Sequence, residues 1–504
     1  MISTQPLRNG HDEPKAAPGS EPRTVEGRKT LHRSILGSAL GNAVEWFDYG
    51  VYGYLTIYMA VNFFGSQKGD GGLGVTLTLA TLALSFLVRP LGGLILGPLG
   101  DKVGRQKVMV LTVTLMTLAT GCIGLLPTNG TVGFVAPVLL LLCRLVQGFS
   151  AGGEYGGAAV YMAESAPDRR RGFLGSFLEF GTTVGFMLAA IVCTSLIAMV
   201  GDQGMQDGWW RLPFLLTIPL GLTALWIRTR LVEAPVFSEA SAHRETMRSP
   251  LRHVLAHNWR QILVLSGFVV LLNVAFYLIL GYMPTYLSGQ LGHSAAQGNW
   301  MLVVTMGLML LAIPPVGALS DRIGRKPLLI VASAGYALLS VPAVMLLGLN
   351  NLVLQFVGLA VLGLLLVILV SSVSSTLPAL FPTAVRYTGF AIAYNFSTAF
   401  FAGPSQTVAN QLIETTGNQL VPGWYMAIAG VIGFISILCM RETSQASLRG
   451  EELPGAPESL GFPKPGFVRL NLQDAEQRRS TFQASWRAQL PSQVPGARSS
   501  AGDW

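Results

Sequence analysis

Long hydrophobic runs, separated by short polar breaks, occupy most of the chain. A helix that crosses a membrane requires roughly 20 predominantly apolar residues. Twelve runs reach that length, so the pattern predicts an all-α membrane protein with twelve transmembrane helices. We predict them at 35–64, 75–100, 106–127, 133–163, 170–200, 212–231, 259–288, 297–320, 327–348, 352–380, 386–413 and 421–441.

The positions of the basic residues predict the orientation. All but four of the 34 Lys and Arg residues fall in the two tails, in the even-numbered breaks or at the span ends that border them. The exceptions are Lys68 and Arg211 on the other side, and Arg89 and Arg144 inside predicted spans. Because cytoplasmic loops are enriched in Lys and Arg, both termini are predicted to be cytoplasmic. The same basic face is suited to contact with anionic lipid headgroups.

An internal repeat divides the predicted spans into two sets of six. Asp101-Lys-Val-Gly-Arg105 after the second span recurs as Asp321-Arg-Ile-Gly-Arg325 after the eighth. A second, weaker match relates Pro167-Asp-Arg-Arg-Arg171 after the fourth span to Pro382-Thr-Ala-Val-Arg386 after the tenth. Parallel repeats of this kind are typical of alternating-access carriers. The predicted organisation is an N-terminal tail (1–34), an N-terminal half (35–231), a cytoplasmic linker (232–258), a C-terminal half (259–441) and a disordered cytoplasmic tail (442–504).

Composition narrows the functional classes. Only 12% of residues are charged, against about 25% in a soluble domain, which excludes a soluble enzyme and a nucleic-acid-binding protein. The chain has no Gly-Lys pair for a phosphate-binding loop, and its six histidines and four cysteines lack metal-ligand spacing. We therefore predict no enzymatic activity, no cofactor and no metal, and a proton gradient as the energy source, with sodium as the open alternative.

Acidic residues inside predicted spans are candidates for carrying a proton. A charge there costs about 2.5–3.5 kcal/mol on insertion scales and is functional by default. Glu45 and Asp48 are three residues apart, so they share one face of the first span, and crowding favours proton uptake by one of them. A structural ion pair with a buried arginine is the alternative for each. The proton-coupling candidates are Asp48, Glu45, Glu154 and Glu179.

Two arginines and several aromatic residues are candidates for binding a solute. Arg144 and Arg89 could each bind a carboxylate or neutralise the acidic residues, and the deeper position of Arg144 in its span favours it slightly. Aromatic faces attract ammonium groups, although helix packing is the alternative for any single ring. The substrate-binding candidates are Arg144, Arg89, Trp46, Tyr52, Asn273, Tyr277, Tyr282, Tyr394 and Asn395.

The repeated loops predict a conformational latch. A carboxylate and an arginine in a glycine-containing turn can pair with the end of a neighbouring helix and stabilise one conformation. The predicted latch residues are Asp101, Arg105, Asp321 and Arg325, with Arg171 and Arg386 in similar networks.

Several motifs resemble those of a known family. The loop Gly97-Pro-Leu-Gly-Asp101-Lys-Val-Gly-Arg105-Gln-Lys107 resembles the signature loop of the major facilitator superfamily. Four further motifs resemble its metabolite:proton symporter family: Gly41-Asn-Ala-Val-Glu45-Trp-Phe-Asp48-Tyr, Arg89-Pro-Leu-Gly-Gly, Gln147-Gly-Phe-Ser-Ala-Gly-Gly-Glu154-Tyr and Trp210-Arg-Leu-Pro-Phe214. Three more motifs resemble the osmosensory branch of that family, which carries proline and glycine betaine. They are Tyr282-Met-Pro-Thr-Tyr-Leu287, Ser375-Thr-Leu-Pro-Ala-Leu-Phe-Pro-Thr383 and Tyr394-Asn-Phe396.

The resemblance implies a major-facilitator-type fold and proton-coupled import of a small zwitterionic osmolyte across the bacterial inner membrane by a monomer. Two alternatives remain: symport of a di- or tricarboxylate such as 2-oxoglutarate, citrate or shikimate, and a non-transporting sensor on a transporter fold. Osmosensory transporters of this branch end in a coiled-coil helix. The tail of this chain shows no heptads, so osmosensing by that device is not expected.

Overall fold

The computed structural model describes residues 25–65, 73–103, 105–229, 258–381, 386–444, 446 and 448. Within these ranges the chain is helical and contains no strand. The first six long helices are α1 (Val25–Tyr54, continued by Thr56–Phe64), α2 (Leu73–Val103), α3 (Arg105–Leu125), α4 (Val135–Ser165), α5 (Arg171–Gly204) and α6 (Arg211–Leu215 and Thr217–Thr229). The linker predicted at 232–258 lies, apart from Asn258, outside the described residues, as does the tail beyond Leu448.

The second six helices repeat this arrangement. They are α7 (Trp259–Phe276, followed by π-helical turns at Tyr277–Tyr282 and Tyr286–Gln290), α8 (Ala295–Ile323), α9 (Arg325–Leu347), α10 (Leu352–Thr376), α11 (Arg386–Phe401 and Gly403–Thr416) and α12 (Val421–Cys439). Short helical turns lie at Asn129–Val132, Asp168–Arg170, Met205–Trp209, Met283–Thr285 and Pro378–Leu380.

Ten of the helices in the described part of the chain are long and apolar enough to cross a membrane. The other two long helices, α1 and α11, are interrupted or polar. α1 carries Glu45 and Asp48, and α11 breaks at Ala402, shortly before Pro404. Leucines face outward on the sides of the molecule, such as Leu311 (75% exposed) and Leu338 (73% exposed). The predicted all-α architecture of twelve helices in two six-helix halves is confirmed.

Glycines fix the position of α2 against α4. A Cβ atom added to Gly152 would lie 2.0 Å from the carbonyl oxygen of Arg89, and one added to Gly148 would lie 1.9 Å from that of Ser85. Such distances require backbone-to-backbone contact, which only glycine permits in a helix crossing. The backbone of Arg89 is therefore held closely against α4.

The two halves touch at both ends of the molecule. At the end where α12 leads into the tail, which we call the tail-side end, the Ser374 hydroxyl donates to the Gly175 carbonyl (2.5 Å). At the opposite end, the Asn410 amide donates to the Thr76 hydroxyl (3.2 Å), and a Cβ atom on Gly53 would lie 3.0 Å from the Gly281 carbonyl oxygen. Contacts at both ends close the central region off from either side.

Candidate functional site

Arg89, on α2, lies buried between the two halves (1% exposed). Its guanidinium carbon is 4.9 Å from the centroid of the Phe86 ring and 5.8 Å from that of Tyr49. None of its three side-chain nitrogens makes a well-aligned hydrogen bond with a residue that the structure describes, although the Tyr277 hydroxyl lies close to it. A buried guanidinium in this situation has donors available for an anion, and its planar fork matches a carboxylate.

Aromatic rings from both halves surround this region. We call them the aromatic cage: Trp46, Tyr49, Phe86, Phe186, Phe276 and Tyr277. Trp46 lies 5.2 Å from Phe276, and Phe86 lies 5.0 Å from Tyr277, measured between ring centroids. Each of these two pairs joins the N-terminal half to the C-terminal half. The negative faces of such rings favour a cation without offering it a hydrogen bond.

A second aromatic contact between the halves leads from the cage to Glu179. Tyr155 of α4 stacks on Tyr394 of α11 with 4.5 Å between centroids. The Tyr155 hydroxyl donates to Glu179 Oε1 (2.7 Å), and Tyr394 interacts electrostatically with both Arg89 and Glu179. Next to this stack, the Asn395 amide donates to the Gly152 carbonyl (2.9 Å) and ties α11 to α4.

A separate small cavity lies inside the N-terminal half. Glu45, Asp48 and Glu154 line it together with Thr117 and Thr120, and its volume is ≈ 20 Å³. A cavity of about 10–15 Å³ or more holds one water molecule. This space therefore suits a water molecule or a proton and is too small for an organic solute.

Arginines balance the acidic residues around this cavity. Arg228 of α6 forms an ion pair with Glu154, and Arg144 of α4 attracts Asp48. Glu45 lies in the electrostatic field of Arg228 and Arg89, although neither of its oxygens makes a hydrogen bond within the described residues. Arg228 and Arg144 thus compensate carboxylates inside this half.

Asp48 and Arg144 are each held by neutral neighbours as well. Gln147 donates to Asp48 Oδ2 (2.7 Å) and to the Thr120 hydroxyl (2.6 Å). The guanidinium carbon of Arg144 lies 3.6 Å from the centroid of the Tyr52 ring. The structure therefore places Arg144 within the N-terminal half and Arg89 at the interface between halves.

The remaining predicted substrate-binding residues are distributed over other regions. The Tyr52 hydroxyl donates to the Thr78 carbonyl (2.8 Å) within the N-terminal half, and the Asn273 amide donates to Thr398 (3.0 Å) within the C-terminal half. The Tyr282 hydroxyl donates to Asn410 (3.0 Å) at the opposite end. Of the predicted set, the structure brings Arg89, Trp46, Tyr277 and Tyr394 together at the centre.

Tyr155 and Arg228 are functional-site residues that the sequence does not predict. Tyr155 directly follows Glu154 in a motif, which is a usable signal. Arg228 lies near the end of a predicted span and was assigned to the cytoplasmic face, yet its side chain is only 4% exposed. Position near a span boundary does not reveal whether an arginine turns inward to an acidic residue.

The predicted latch residues of the C-terminal half lie at the tail-side end. Asp321 accepts from the backbone amides of Gly172 (2.7 Å) and Phe173 (2.9 Å), so an α8 carboxylate caps the first turn of α5 in the other half. Arg325 lies 3.9 Å from Asp321. The side chains of Asp101 and Arg105 lie outside the described residues.

Three buried arginines also hold the segment that follows α12. Arg325 donates to the Thr443 carbonyl (3.1 Å), Arg171 to that of Ala446 (2.9 Å) and Arg386 to that of Leu448 (2.8 Å). Arg386 also pairs with Glu164 (3.0 Å), and Arg171 pairs with Asp168. The packed part of the chain therefore extends past the boundary predicted at 441.

Comparisons with curated proteins give relatives that match most of the chain. The glycine betaine/proline/ectoine/pipecolic acid transporter OusA of Dickeya dadantii (strain 3937) is 42% identical over 83% of this chain and 85% of that protein. The proline/betaine transporter of Salmonella typhimurium (strain LT2) is 38% identical over 92% of this chain and 95% of that protein. The ectoine/proline transporter ProP of Corynebacterium glutamicum (strain ATCC 13032) is 41% identical over 84% and 86%.

Solved structures share the fold. The proton:xylose symporter XylE bound to 6-bromo-6-deoxy-D-glucose superposes with a TM-score of 0.67 at 18% identity, over 84% of this chain and 98% of that chain. The family model for the Major Facilitator Superfamily matches residues 38–405. The resemblance found in the sequence motifs is thereby confirmed. This chain belongs to the major facilitator superfamily.

Proposed function

We propose that this protein imports a small zwitterionic osmolyte, such as proline or glycine betaine, together with protons by alternating access. The single observation that carries the proposal is Arg89, a guanidinium that is buried between the two halves beside an aromatic cage and forms no ion pair among the described residues. The printed names of the relatives, which are transporters of betaine, proline and ectoine, support the same solute class.

The chemistry of a betaine matches the two parts of this site. Its carboxylate would take the donors of Arg89, and its quaternary ammonium would lie against aromatic faces, a contact of about 0.5–2 kcal/mol. A quaternary ammonium has no hydrogen to donate, so rings serve it better than hydroxyls or carboxylates. Trp46, Tyr49 and Tyr277 are the rings best placed for this contact.

A dicarboxylate fits the site less well. It would require a second cation near Arg89, and among the described residues no other arginine or lysine lies over a ring of the cage. Arg144, the other buried candidate, faces Asp48 and the Tyr52 ring inside the N-terminal half. Among the described residues, Arg89 is the arginine that lies over rings of the cage, which supports a solute with one carboxylate.

We further propose that both termini are cytoplasmic in a bacterial inner membrane, so that the tail-side end is the cytoplasmic gate. The basic residues of the tails and even-numbered breaks support this orientation. Opening at the tail-side end would then release the solute into the cell. Labelling of a cysteine placed in either tail by a membrane-impermeant reagent, with and without permeabilisation, tests this orientation.

Uptake by the purified protein in proteoliposomes tests the proposed function. We expect labelled glycine betaine or proline to accumulate under an imposed pH gradient, and a protonophore to abolish the accumulation. 2-Oxoglutarate should not compete. Saturable binding without flux would support the sensor alternative, and accumulation of 2-oxoglutarate in place of betaine would support the dicarboxylate alternative.

A further inference from the structure

We infer that Glu179 is the residue that binds and releases the transported proton, and that two buried side-chain routes couple it to the solute at Arg89. The inference rests on the proposed function and adds an assignment to it. Glu179 lies on α5, near the contact between the two halves, and is 4% exposed.

Glu179 differs from the other three proton-coupling candidates in lacking a basic partner. Glu154 pairs with Arg228, Asp48 lies near Arg144, and Glu45 lies in the field of Arg228 and Arg89. Within the described residues, no arginine, lysine or histidine forms an ion pair with Glu179. An ionised carboxylate buried without compensation costs several kcal/mol, so in this closed conformation the neutral, proton-bearing form is favoured.

The groups that face Glu179 from neighbouring helices are neutral. From α4, the Tyr155 hydroxyl donates to its Oε1 (2.7 Å). From α11, Tyr394 interacts with it electrostatically across the Tyr155 stack. Thr182, one turn along α5, contacts its carboxyl group, and the Asn42 amide of α1 donates in turn to the Thr182 hydroxyl. Tyr155 and Tyr394 are thus the titratable neighbours from the described helices that pack on α5.

Two routes connect Glu179 to the candidate solute site. The first runs from Glu179 through the Tyr155–Tyr394 stack to Arg89. The second runs through Thr182, which accepts from the Asn42 amide (2.5 Å), while Asn42 accepts from the Trp46 indole (3.1 Å). A solute carboxylate would cancel the positive charge of Arg89 and so strengthen the preference of Glu179 for its neutral form. By linkage, the bound proton strengthens solute binding equally.

The position of Glu179 also provides an exit for the proton. It lies one helical turn, about 6 Å, from Gly175, whose carbonyl accepts from Ser374 in the tail-side contact between the halves. When this contact opens, water reaches Glu179. The carboxyl O–H bond then breaks, leaving a carboxylate on Glu179 and a proton on water at the tail side. Opening at the opposite end allows the carboxylate to take up a proton from that side and completes the cycle.

Replacing Glu179 by glutamine tests the assignment, since an amide mimics the proton-bearing form. In E179Q proteoliposomes, we expect accumulation of labelled betaine under a pH gradient to fall to the equilibrium level, while exchange of internal for external betaine stays within about twofold of wild type. The control D207N removes an exposed carboxylate at the opposite end and should retain gradient-driven accumulation.

The outcomes separate this inference from the proposed function. Failure of the wild-type protein to transport betaine would overturn the proposed function itself. Gradient-driven accumulation by E179Q would overturn only the assignment of Glu179, as would loss of exchange in E179Q, because a residue that only carries the proton is dispensable for exchange. As a second measurement, E179D should recover gradient-driven accumulation, and its failure to do so would also contradict the assignment.

Discussion

The interior of the N-terminal half and the interface between the halves differ in whether their buried charges are paired. In the interior, Arg228 pairs with Glu154 and Arg144 attracts Asp48 around a cavity of ≈ 20 Å³. At the interface, neither Arg89 nor Glu179 forms an ion pair within the described residues. Both regions are equally buried, so burial alone does not account for the difference.

This difference indicates which charges serve the fold and which serve ligands. A compensated pair inside one half keeps its partner in every conformation, because the half moves as a unit. A charge at the interface meets different surroundings each time the halves rearrange. We therefore regard Arg89 as the group that binds the solute and Glu179 as the group that binds the proton. The interior pairs serve the structure.

The largest effect is expected when an interior pair is broken. R228A leaves Glu154 buried without its partner, which should lower the free energy of unfolding by about 3–5 kcal/mol. Thermal unfolding in detergent measures the change, and R260A, which removes an exposed arginine at the start of α7, is the control. The double variant R228M/E154Q should recover most of the loss. Equal midpoints for R228A and R260A would contradict a structural role.

Removing the interface arginine should affect binding more than stability. R89A should weaken betaine binding by about 100-fold, close to the value of one charge-assisted bidentate contact of roughly 2–3 kcal/mol. R89K keeps the charge but loses the planar fork, so it should lie between R89A and wild type. Isothermal titration in detergent measures both. Wild-type affinity in R89A, or a larger loss in R144A with the fold intact, would reverse the assignment of the two arginines.

A change in the aromatic cage should weaken only the contact that binds the cationic end of the solute. W46L removes one ring and should weaken betaine binding by about 3- to 30-fold, since a cation–π contact contributes roughly 0.5–2 kcal/mol. W46F retains a ring and should lose less. Competition against labelled betaine measures both variants. An equal loss in W46F and W46L would indicate that packing, rather than the aromatic face, determines the affinity.

The smallest effect concerns the tail-side contact between halves. D321N keeps the shape of the cap on α5 but removes its negative charge and replaces one of its two accepting oxygens by an amide donor, which should weaken closure by about 1 kcal/mol. Spin-label distances across the tail-side end should then show an open population that is larger by about two- to fivefold. S288A, which removes a partly buried hydroxyl on α7, serves as the control. An unchanged distance distribution in D321N would show that the cap does not control closure.

The twelve-helix pattern could be predicted from the sequence because each span must bury its own backbone hydrogen bonds within an apolar stretch. The positions at which the helices begin and end are harder to predict from the sequence. α1 extends from Val25 through Tyr54 and is interrupted at Leu55, where the hydrophobic pattern shows no break. α11 divides at Ala402, just before Pro404, a residue that does predict such an interruption.

The candidate site was predictable as a set of residue types and not as a set of pairs. Charges within apolar runs identify Glu45, Asp48, Arg89, Arg144, Glu154 and Glu179 directly. Which acidic residue meets which arginine depends on helix rotation and on crossings such as Gly152 against Arg89, which periodicity does not reveal. For the same reason, depth within a span favours Arg144 over Arg89 as the residue that binds the solute carboxylate. The structure instead places Arg89 at the interface between the halves.

The pH dependence of solute affinity, compared in wild type and E179Q, tests the division between structural and ligand-binding charges most directly. If Glu179 must carry a proton for betaine to bind tightly at Arg89, the wild-type dissociation constant should rise toward tenfold per pH unit once Glu179 ionises. E179Q should then show a nearly constant dissociation constant over the same range. A wild-type constant that does not change with pH, or the same pH dependence in E179Q, would contradict the account.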